Sequence, residues 1–131
     1  MTLLDLKTFM EEKISTESAY PIPILDEEIK DFIQGIPKSP GVYKFLDKFH
    51  TPLYIGKAKF LNKRVASYFR KSNKSKKIEK LLEQSNFIEF YLTNTELESL
   101  LHEQFLIKEL KPKFNVQFKD DKGYPWIKIE T

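Results

Sequence analysis

The stretch that decides the fold is Tyr54-Ile55-Gly56-Lys57-Ala58-Lys59-Phe60-Leu61-Asn62-Lys63-Arg64-Val65-Ala66-Ser67-Tyr68. Its first residues continue from Leu53 as a run of β-branched and aromatic side chains that Gly56 ends, which is typical of a short strand. From about Phe60 the apolar period becomes four, which predicts a helix whose buried face carries Leu61, Val65 and Phe69.

Three polar side chains of this stretch are expected near the end of the strand. Lys57 follows the glycine, while Arg64 and Tyr68 are four residues apart on a neighbouring face of the helix. A lysine, an arginine and a phenol around one spot would suit a phosphate. The same residues are equally compatible with an ordinary strand, turn and helix whose cations are simply solvated.

Positive charge is concentrated in the same region. Residues 57–80 contain ten Lys or Arg and one Glu, for a net charge of +9, while the rest of the chain carries −6 and the whole chain +3. A basic segment in an otherwise acidic chain is the footprint of a polyanion site. Charge therefore favours nucleic-acid binding over a merely soluble basic helix.

Length and composition favour one packed domain in an intracellular protein. The 131 residues are 40% hydrophobic and 14% aromatic, which supports a globular core rather than disorder. The absence of cysteine excludes disulfides and thiolate metal sites and fits the cytoplasm. The acidic first twenty residues are unlike a signal peptide, and no apolar run is long enough to span a bilayer.

The element pattern predicts an α+β fold with a small three-stranded antiparallel sheet flanked by helices. Residues 41–46 and 53–56 form a hairpin, and residues 87–92 form the third strand. Helices are expected at 76–84 and, after the Thr95–Glu98 capping box, up to Leu110. The segment 113–118 is expected to be extended.

The front of the chain is expected to be a separate extension. Residues 1–36 contain an amphipathic helix at 2–14, a linker at 15–23 and a short helix from Asp26. Residues 37–131 then form the main domain. The extension carries no recognisable chemistry.

Glu103 is an unusual residue for its position in the last long helix. On a helical wheel it shares the stripe of Leu100, Leu106, Ile107 and Leu110. A carboxylate on a core-facing stripe is costly unless it is paired or bound to a cation. An ion pair, a position at the stripe's edge and a metal ligand in a cleft all satisfy this requirement. Its neighbour His102 is interpreted as a surface residue or as support behind the metal ligand.

Taken in order, several motifs resemble the GIY-YIG nuclease superfamily and, within it, the N-terminal domain of the UvrC family. The resemblance covers residues 37 to 129. It starts with Gly41-Val42-Tyr43 and Tyr54-Ile55-Gly56 and extends through Glu103 to the run Lys111-Pro112-Lys113-Phe114-Asn115-Val116. The resemblance implies a metal-dependent phosphodiesterase that makes the 3′ incision during bacterial nucleotide excision repair.

The resemblance also implies roles for individual residues. Glu103 would hold one divalent cation, Mg²⁺ or Mn²⁺. Tyr43 or Tyr54 would take a proton from the attacking water, and we favour Tyr43. Arg64 would clamp the phosphate. The other expected site residues are Lys57, which supplies positive charge, and Tyr68 and Asn115, which line and orient the site.

The expected partners are damaged double-stranded DNA and UvrB, the latter contacted through parts of a longer protein that this chain lacks. No membrane partner is expected. A non-catalytic nucleic-acid-binding module and a stand-alone GIY-YIG nuclease are the alternatives. The basic side chains expected to contact DNA are Lys59, Lys63, Arg70, Lys71, Lys74, Lys76 and Lys77.

Overall fold

The structure is a computed structural model in which residues 19–24, 26–70 and 75–120 are described. The elements in chain order are β1 (Tyr20–Pro21), α1 (Asp26–Gln34), β2 (Gly41–Leu46), β3 (Pro52–Ala58), α2 (Leu61–Tyr68), α3 (Lys76–Gln84), β4 (Phe87–Leu92), α4 (Glu96–Leu110) and α5 (Lys113–Asp120). None of the helices in the described ranges combines the length and hydropathy that a membrane crossing requires.

The strands form one antiparallel sheet in the order β1-β4-β2-β3. The expected α+β fold and the β2–β3 hairpin are confirmed. The sheet has four strands rather than three, because two residues of the expected linker, Tyr20 and Pro21, pair with Ile88 and Phe87 at the edge of β4. β3 forms the opposite edge.

The two faces of the sheet bury different clusters, as the period of two in a strand requires. Tyr43 and Phe45 of β2 belong to the larger cluster, which α2 covers with its buried residues Leu61, Val65 and Tyr68. On the other face, Val42 of β2 packs with Leu106 of α4. The catalytic candidates of β2 and α2 therefore share one face, and α4 lies on the other.

The α4 helix begins and packs in a way that the sequence predicted only in part. Thr95 caps it by accepting a hydrogen bond from the Glu98 backbone at 3.0 Å, as expected. Its buried residues are Ser99, His102 and Leu106. The expected apolar stripe was therefore wrong by about one position, and Leu110, which was expected on it, is exposed. The interpretation of His102 as a surface residue is also wrong, because only 3% of this residue is exposed.

The segment after α4 also differs from expectation. The residues expected to be extended form α5, in which the backbone N–H groups of Asn115 and Val116 donate to the Pro112 carbonyl. Phe114 of this helix is buried in the larger cluster. Packing of this aromatic ring outweighs the β-propensity of its neighbours. The helix expected at residues 2–14 lies outside the described residues.

A buried ion pair crosses from β2 to β4 on the face that α4 covers. Lys44 Nζ lies 2.9 Å from Glu89 Oε1, and both side chains are almost completely buried. The Tyr91 hydroxyl donates to the same carboxylate, and the Lys44 ammonium lies 5.4 Å from the Tyr91 ring centroid. Burial and the Glu89 carboxylate raise the pKa of Tyr91. This polar network was not predicted. The sequence feature that could have indicated it is Lys44, which shares one face of β2 with the apolar residues Val42 and Leu46.

Candidate active site

The site begins with the glycine of β3, which makes room for the tyrosine of β2. Tyr43 pairs with Gly56 across the hairpin. A Cβ atom added at Gly56 would overlap the hydroxyl and the ring of Tyr43. The phenol therefore crosses β3 where only glycine leaves space. The Tyr54 ring centroid lies 6.4 Å from that of Tyr43, so the two phenols share this end of the sheet.

The helix α2 adds two groups to the Tyr43 hydroxyl. The Tyr68 hydroxyl lies 2.6 Å from it, in a buried hydrogen bond. Arg64 Nε donates to it at 3.3 Å. Because Arg64 is exposed and uses Nε for this bond, its Nη groups are free to face a phosphate. Arg64 and Tyr68 therefore meet at the Tyr43 hydroxyl, whereas Lys57, which the sequence placed with them, lies opposite Val42 and faces α4.

Burial and charge act in opposite directions on these phenols. Burial raises the pKa of Tyr43, while the Arg64 guanidinium and the hydrogen bond from Tyr68 oppose the rise. Burial also raises the pKa of Tyr68, and the neighbouring Tyr43 raises it further. The pKa of Arg64 is raised, chiefly by the charge that Tyr43 acquires when it ionises. A Tyr43 phenolate would thus be held by one cation and one donor hydroxyl.

Glu103 reaches this group from the helix on the other face. Burial raises the pKa of its carboxyl group; hydrogen bonds from the Gln104 side chain and the Lys57 backbone, together with the charges of Lys57 and Arg64, oppose the rise. The Glu103 charge in turn raises the pKa of Tyr43. Because β3 is an edge strand, a side chain from α4 can accept a hydrogen bond from its backbone at Lys57 and still lie within electrostatic range of Arg64.

Lys57 makes a contact that the sequence did not indicate. Its ammonium lies 3.6 Å from Glu96 Oε2, at the first turn of α4. This ion pair joins β3 to the start of the helix that carries Glu103. Since half of the Glu96 side chain is exposed, the pair is weak and can open when an anion approaches.

Asn115 is attached to the free edge of β3. Its side-chain oxygen accepts from the Ile55 N–H at 2.8 Å, and its side-chain nitrogen donates to the Ile55 carbonyl at 2.9 Å. One amide thus satisfies both outward-facing backbone groups of a residue between Tyr54 and Gly56. Asn115 acts on the site through β3.

The expected DNA contacts lie along the rim of α2 and on α3. Lys59, Lys63 and Arg70 are exposed around α2, and Lys76 and Lys77 are exposed on the first turn of α3. Lys71 and Lys74 lie outside the described residues. Lys63 and Lys59 flank the ring of Phe60, which sequence reasoning did not select.

The residues present fit a single hard divalent cation. No cluster of three or more histidine or acidic side chains that could enclose a metal occurs in the described ranges. Mg²⁺ is commonly held by one or two carboxylates, with waters and substrate phosphate oxygens completing its octahedron. Glu103, half-buried beside an arginine that can face a phosphate, matches that requirement.

A hairpin with Tyr43 and Tyr54, a basic helix and a carboxylate from a third element together define a GIY-YIG type of domain. The fold is similar to that of the crystal structure of the GIY-YIG N-terminal endonuclease domain of UvrC from Thermotoga maritima bound to magnesium, its catalytic divalent cation. The match has a TM-score of 0.61 and 36% sequence identity, and it covers 70% of this chain and 99% of that one.

Sequence comparisons specify the family. Residues 39–116 match the family model of the UvrC-like GIY-YIG domain, so the chain belongs to that family. It is 48% identical over 102 residues to the UvrABC system protein C of Alkalilimnicola ehrlichii, covering 78% of this chain. It is 47% identical over 107 residues to that of Legionella pneumophila, strain Lens. The chain spans about a sixth of each of these relatives, at 17% of their length.

Proposed function

We propose that this chain is a UvrC-type, divalent-metal-dependent DNA endonuclease domain that makes the incision 3′ to a lesion in nucleotide excision repair. The observation that carries the proposal is the hydrogen-bonded group of Tyr43, Arg64 and Tyr68, with Glu103 close enough for its charge to act on Tyr43 and Arg64. A carboxylate that can bind a metal, a candidate base and a cation for the phosphate are the parts that phosphodiester hydrolysis requires.

Glu103 would hold the cation, with Mg²⁺ the expected ion and Mn²⁺ a substitute. The bound ion supplies charge stabilisation for the scissile phosphate and the leaving oxygen. The half-buried carboxylate already accepts hydrogen bonds from Lys57 and Gln104, which orient it. The closely matched structure from Thermotoga maritima, bound to its catalytic magnesium, supports this assignment.

The remaining steps belong to side chains of this chain. Tyr43 accepts the proton of the attacking water in its phenolate form, which Arg64 and the Tyr68 hydroxyl stabilise. The Nη groups of Arg64 bind the non-bridging phosphate oxygens. Lys57 adds charge beside Glu103, and Tyr54 lines the hollow next to Tyr43.

The longer relatives support a proposal for the partners and the cellular setting. Damaged double-stranded DNA is the proposed substrate in the cytoplasm, held by the basic side chains of α2, α3 and the segment between them. UvrB would be met through parts of a longer protein that this chain does not include. Residues 1–36 are proposed to be an extension of the nuclease domain. Tyr20 and Pro21 of this extension pair with β4.

The test is metal-dependent nicking of plasmid DNA by the chain and by Glu103→Gln. The variant keeps the size of the side chain and one acceptor oxygen but removes the charge that binds the cation. We expect nicking in Mg²⁺ or Mn²⁺ to fall by at least about 100-fold, with DNA binding in EDTA unchanged. Glu109→Gln, an exposed position on the same helix, is the matched control and should nick normally. Equal nicking by Glu103→Gln and the unsubstituted chain would remove Glu103 from the mechanism.

The position of the cut needs a separate measurement. With the chain carried in the longer protein, UvrB and a duplex containing one lesion, the labelled products should end 3′ to the lesion. Glu103→Gln should abolish this product alone. Loss of a 5′ product instead would contradict the proposed place of this domain in repair.

A further inference from the structure

Three lysine ammonium groups surround one aromatic ring beside the candidate active site. The Nζ atoms of Lys38, Lys59 and Lys63 lie 5.9, 5.8 and 5.3 Å from the ring centroid of Phe60. They come from three places: the turn before β2, the end of β3 and the first turn of α2. We call these four residues the Phe60 platform.

The position of Phe60 is not explained by helix stability. It is the N-cap residue of α2 and makes no side-chain hydrogen bond to the helix, and the first turn contains no acidic residue. Asn, Asp and Ser are preferred at this position because their side chains accept from the first free N–H groups. A phenylalanine at this position leaves the helix without a side-chain cap, which points to a role of its ring outside the helix.

The backbone holds the platform together. The Leu61 N–H donates to the Ser39 carbonyl at 2.9 Å, which ties the turn carrying Lys38 to the start of α2. Among the described residues, no carboxylate lies within 4.0 Å of the ammonium groups of the three platform lysines. Like charges held around one ring repel one another, and a polyanion would relieve that repulsion.

The platform lies close to the phosphate clamp. The Arg64 N–H donates to the Phe60 carbonyl at 3.1 Å, so the two residues are one helical turn apart. A turn rises about 5.4 Å, and a stacked DNA strand rises about 3.4 Å per nucleotide. A nucleotide on Phe60 would thus be one or two positions from a phosphate on Arg64.

We propose that the Phe60 platform binds an unpaired nucleotide of the DNA strand next to the phosphate to be cut. The base stacks on the Phe60 ring, and the three lysines bind the flanking phosphates. Every base has a face that can stack on an aromatic side chain, so the contact favours unpaired over paired DNA without reading sequence. The inference rests on the proposed nuclease function and assigns to the same site a preference for distorted DNA.

The test compares DNA affinities in EDTA, where no cutting interferes. The probes are a fluorescent oligothymidylate, a duplex with a central unpaired bubble and the same duplex fully paired. In Phe60→Asn the ring is removed while a better capping residue takes its place, which offsets part of the packing that the half-buried ring provides. The unfolding midpoint of the variant is measured so that affinities are compared between folded proteins. Affinity for the oligothymidylate and the bubble should fall by about 5- to 140-fold, and affinity for paired DNA by less than about twofold.

Two further variants complete the test. Phe60→Trp should keep or increase affinity for the oligothymidylate. Phe49→Asn is the matched control. Phe49 is exposed in the turn between β2 and β3, and the Lys48 ammonium lies 5.2 Å from its ring centroid. It should change none of the affinities.

The outcomes separate the platform from the nuclease. Wild-type affinity of Phe60→Asn for the oligothymidylate, or an equal loss in Phe49→Asn, would overturn the platform while leaving the nuclease proposal standing. An equal loss on paired and unpaired DNA would also overturn it. If the unsubstituted chain bound none of the three probes, the proposed function itself would fail.

Discussion

The Tyr43 and Tyr68 hydroxyls lie 2.6 Å apart in the buried layer between the sheet and α2. One phenol comes from the hairpin and the other from the last turn of the basic helix, so this bond joins the two sequence motifs of the site. Arg64 donates to the same Tyr43 oxygen. An ionised Tyr43 oxygen would therefore accept hydrogen bonds from both the Tyr68 hydroxyl and Arg64 Nε.

Replacement of Tyr43 by phenylalanine should reduce nicking by about 10²- to 10⁴-fold, the range expected when a general base is removed. The base acts only when deprotonated, and burial raises the pKa of Tyr43 above its usual 10.0. The rate of the unsubstituted chain should thus increase with pH. Initial rates across pH test this, with the half-exposed Tyr20→Phe as control. A rate that does not change with pH would exclude Tyr43 as the base whose ionisation limits the rate.

The change Glu103→Gln should stabilise the chain at neutral pH in the absence of metal. Since burial raises the pKa of Glu103 above its usual 4.5, protonation of this group favours the folded state. Its charged form costs stability above the folded pKa, and that cost disappears as pH falls below the unfolded pKa. Thermal unfolding at several pH values should show the variant's advantage shrinking in acid. Added Mg²⁺ should raise the midpoint of the unsubstituted chain only. A variant less stable at pH 7 would contradict this account.

The change Asn115→Ala should detach α5 from the edge of β3. Removal of two hydrogen bonds to Ile55 leaves a buried N–H and a carbonyl without their partner, which costs about 1–3 kcal/mol. Asn115→Asp should also destabilise, because it keeps the acceptor for the Ile55 N–H but places a carboxylate oxygen against the Ile55 carbonyl. Urea unfolding measures both. If the free energy of unfolding of Asn115→Asp equalled that of the unsubstituted chain, the hydrogen bond to the Ile55 carbonyl would not contribute to stability.

The change Lys44→Met alone should destabilise by about 3–5 kcal/mol, because it leaves Glu89 charged in the core. Replacing the network together, as Lys44→Met with Glu89→Leu and Tyr91→Phe, should restore stability to within about 1–2 kcal/mol or exceed it. Denaturant titrations of the single and triple variants make the comparison. If the single and triple variants lost the same free energy of unfolding, the ion pair itself, and not the unpaired charge of Glu89, would determine stability here.

The double change Lys76→Ala with Lys77→Ala should weaken binding to all DNA sequences alike. For every phosphate that these lysines neutralise, the substitution should reduce the slope of log K against log salt by about 0.9. Binding of paired DNA across a salt series measures the slope. Altered preference among DNA sequences, with the slope unchanged, would mean that α3 contacts bases rather than phosphates.

Local sequence determined the elements whose signals are local. Alternation predicted β2, a run rich in aromatic residues predicted β4, and the Thr95 cap predicted the start of α4. The position of Gly56 opposite Tyr43 follows from the hairpin, and the four-residue spacing placed Arg64 and Tyr68 together. Composition predicted a packed globular domain, and the uneven charge led to the prediction of a polyanion site.

Long-range packing decided the rest. Burial of Phe114 made a helix of a segment with strand-like propensity, and the free edge of β4 made a strand of two residues in a predicted linker. Sequence placed Glu103 only on a helix; the sheet order, with β3 at the edge, brings its carboxylate to Lys57 and Arg64. Helical and strand periods fix which side chains share a face of one element, but only the packed sheet determines which faces meet.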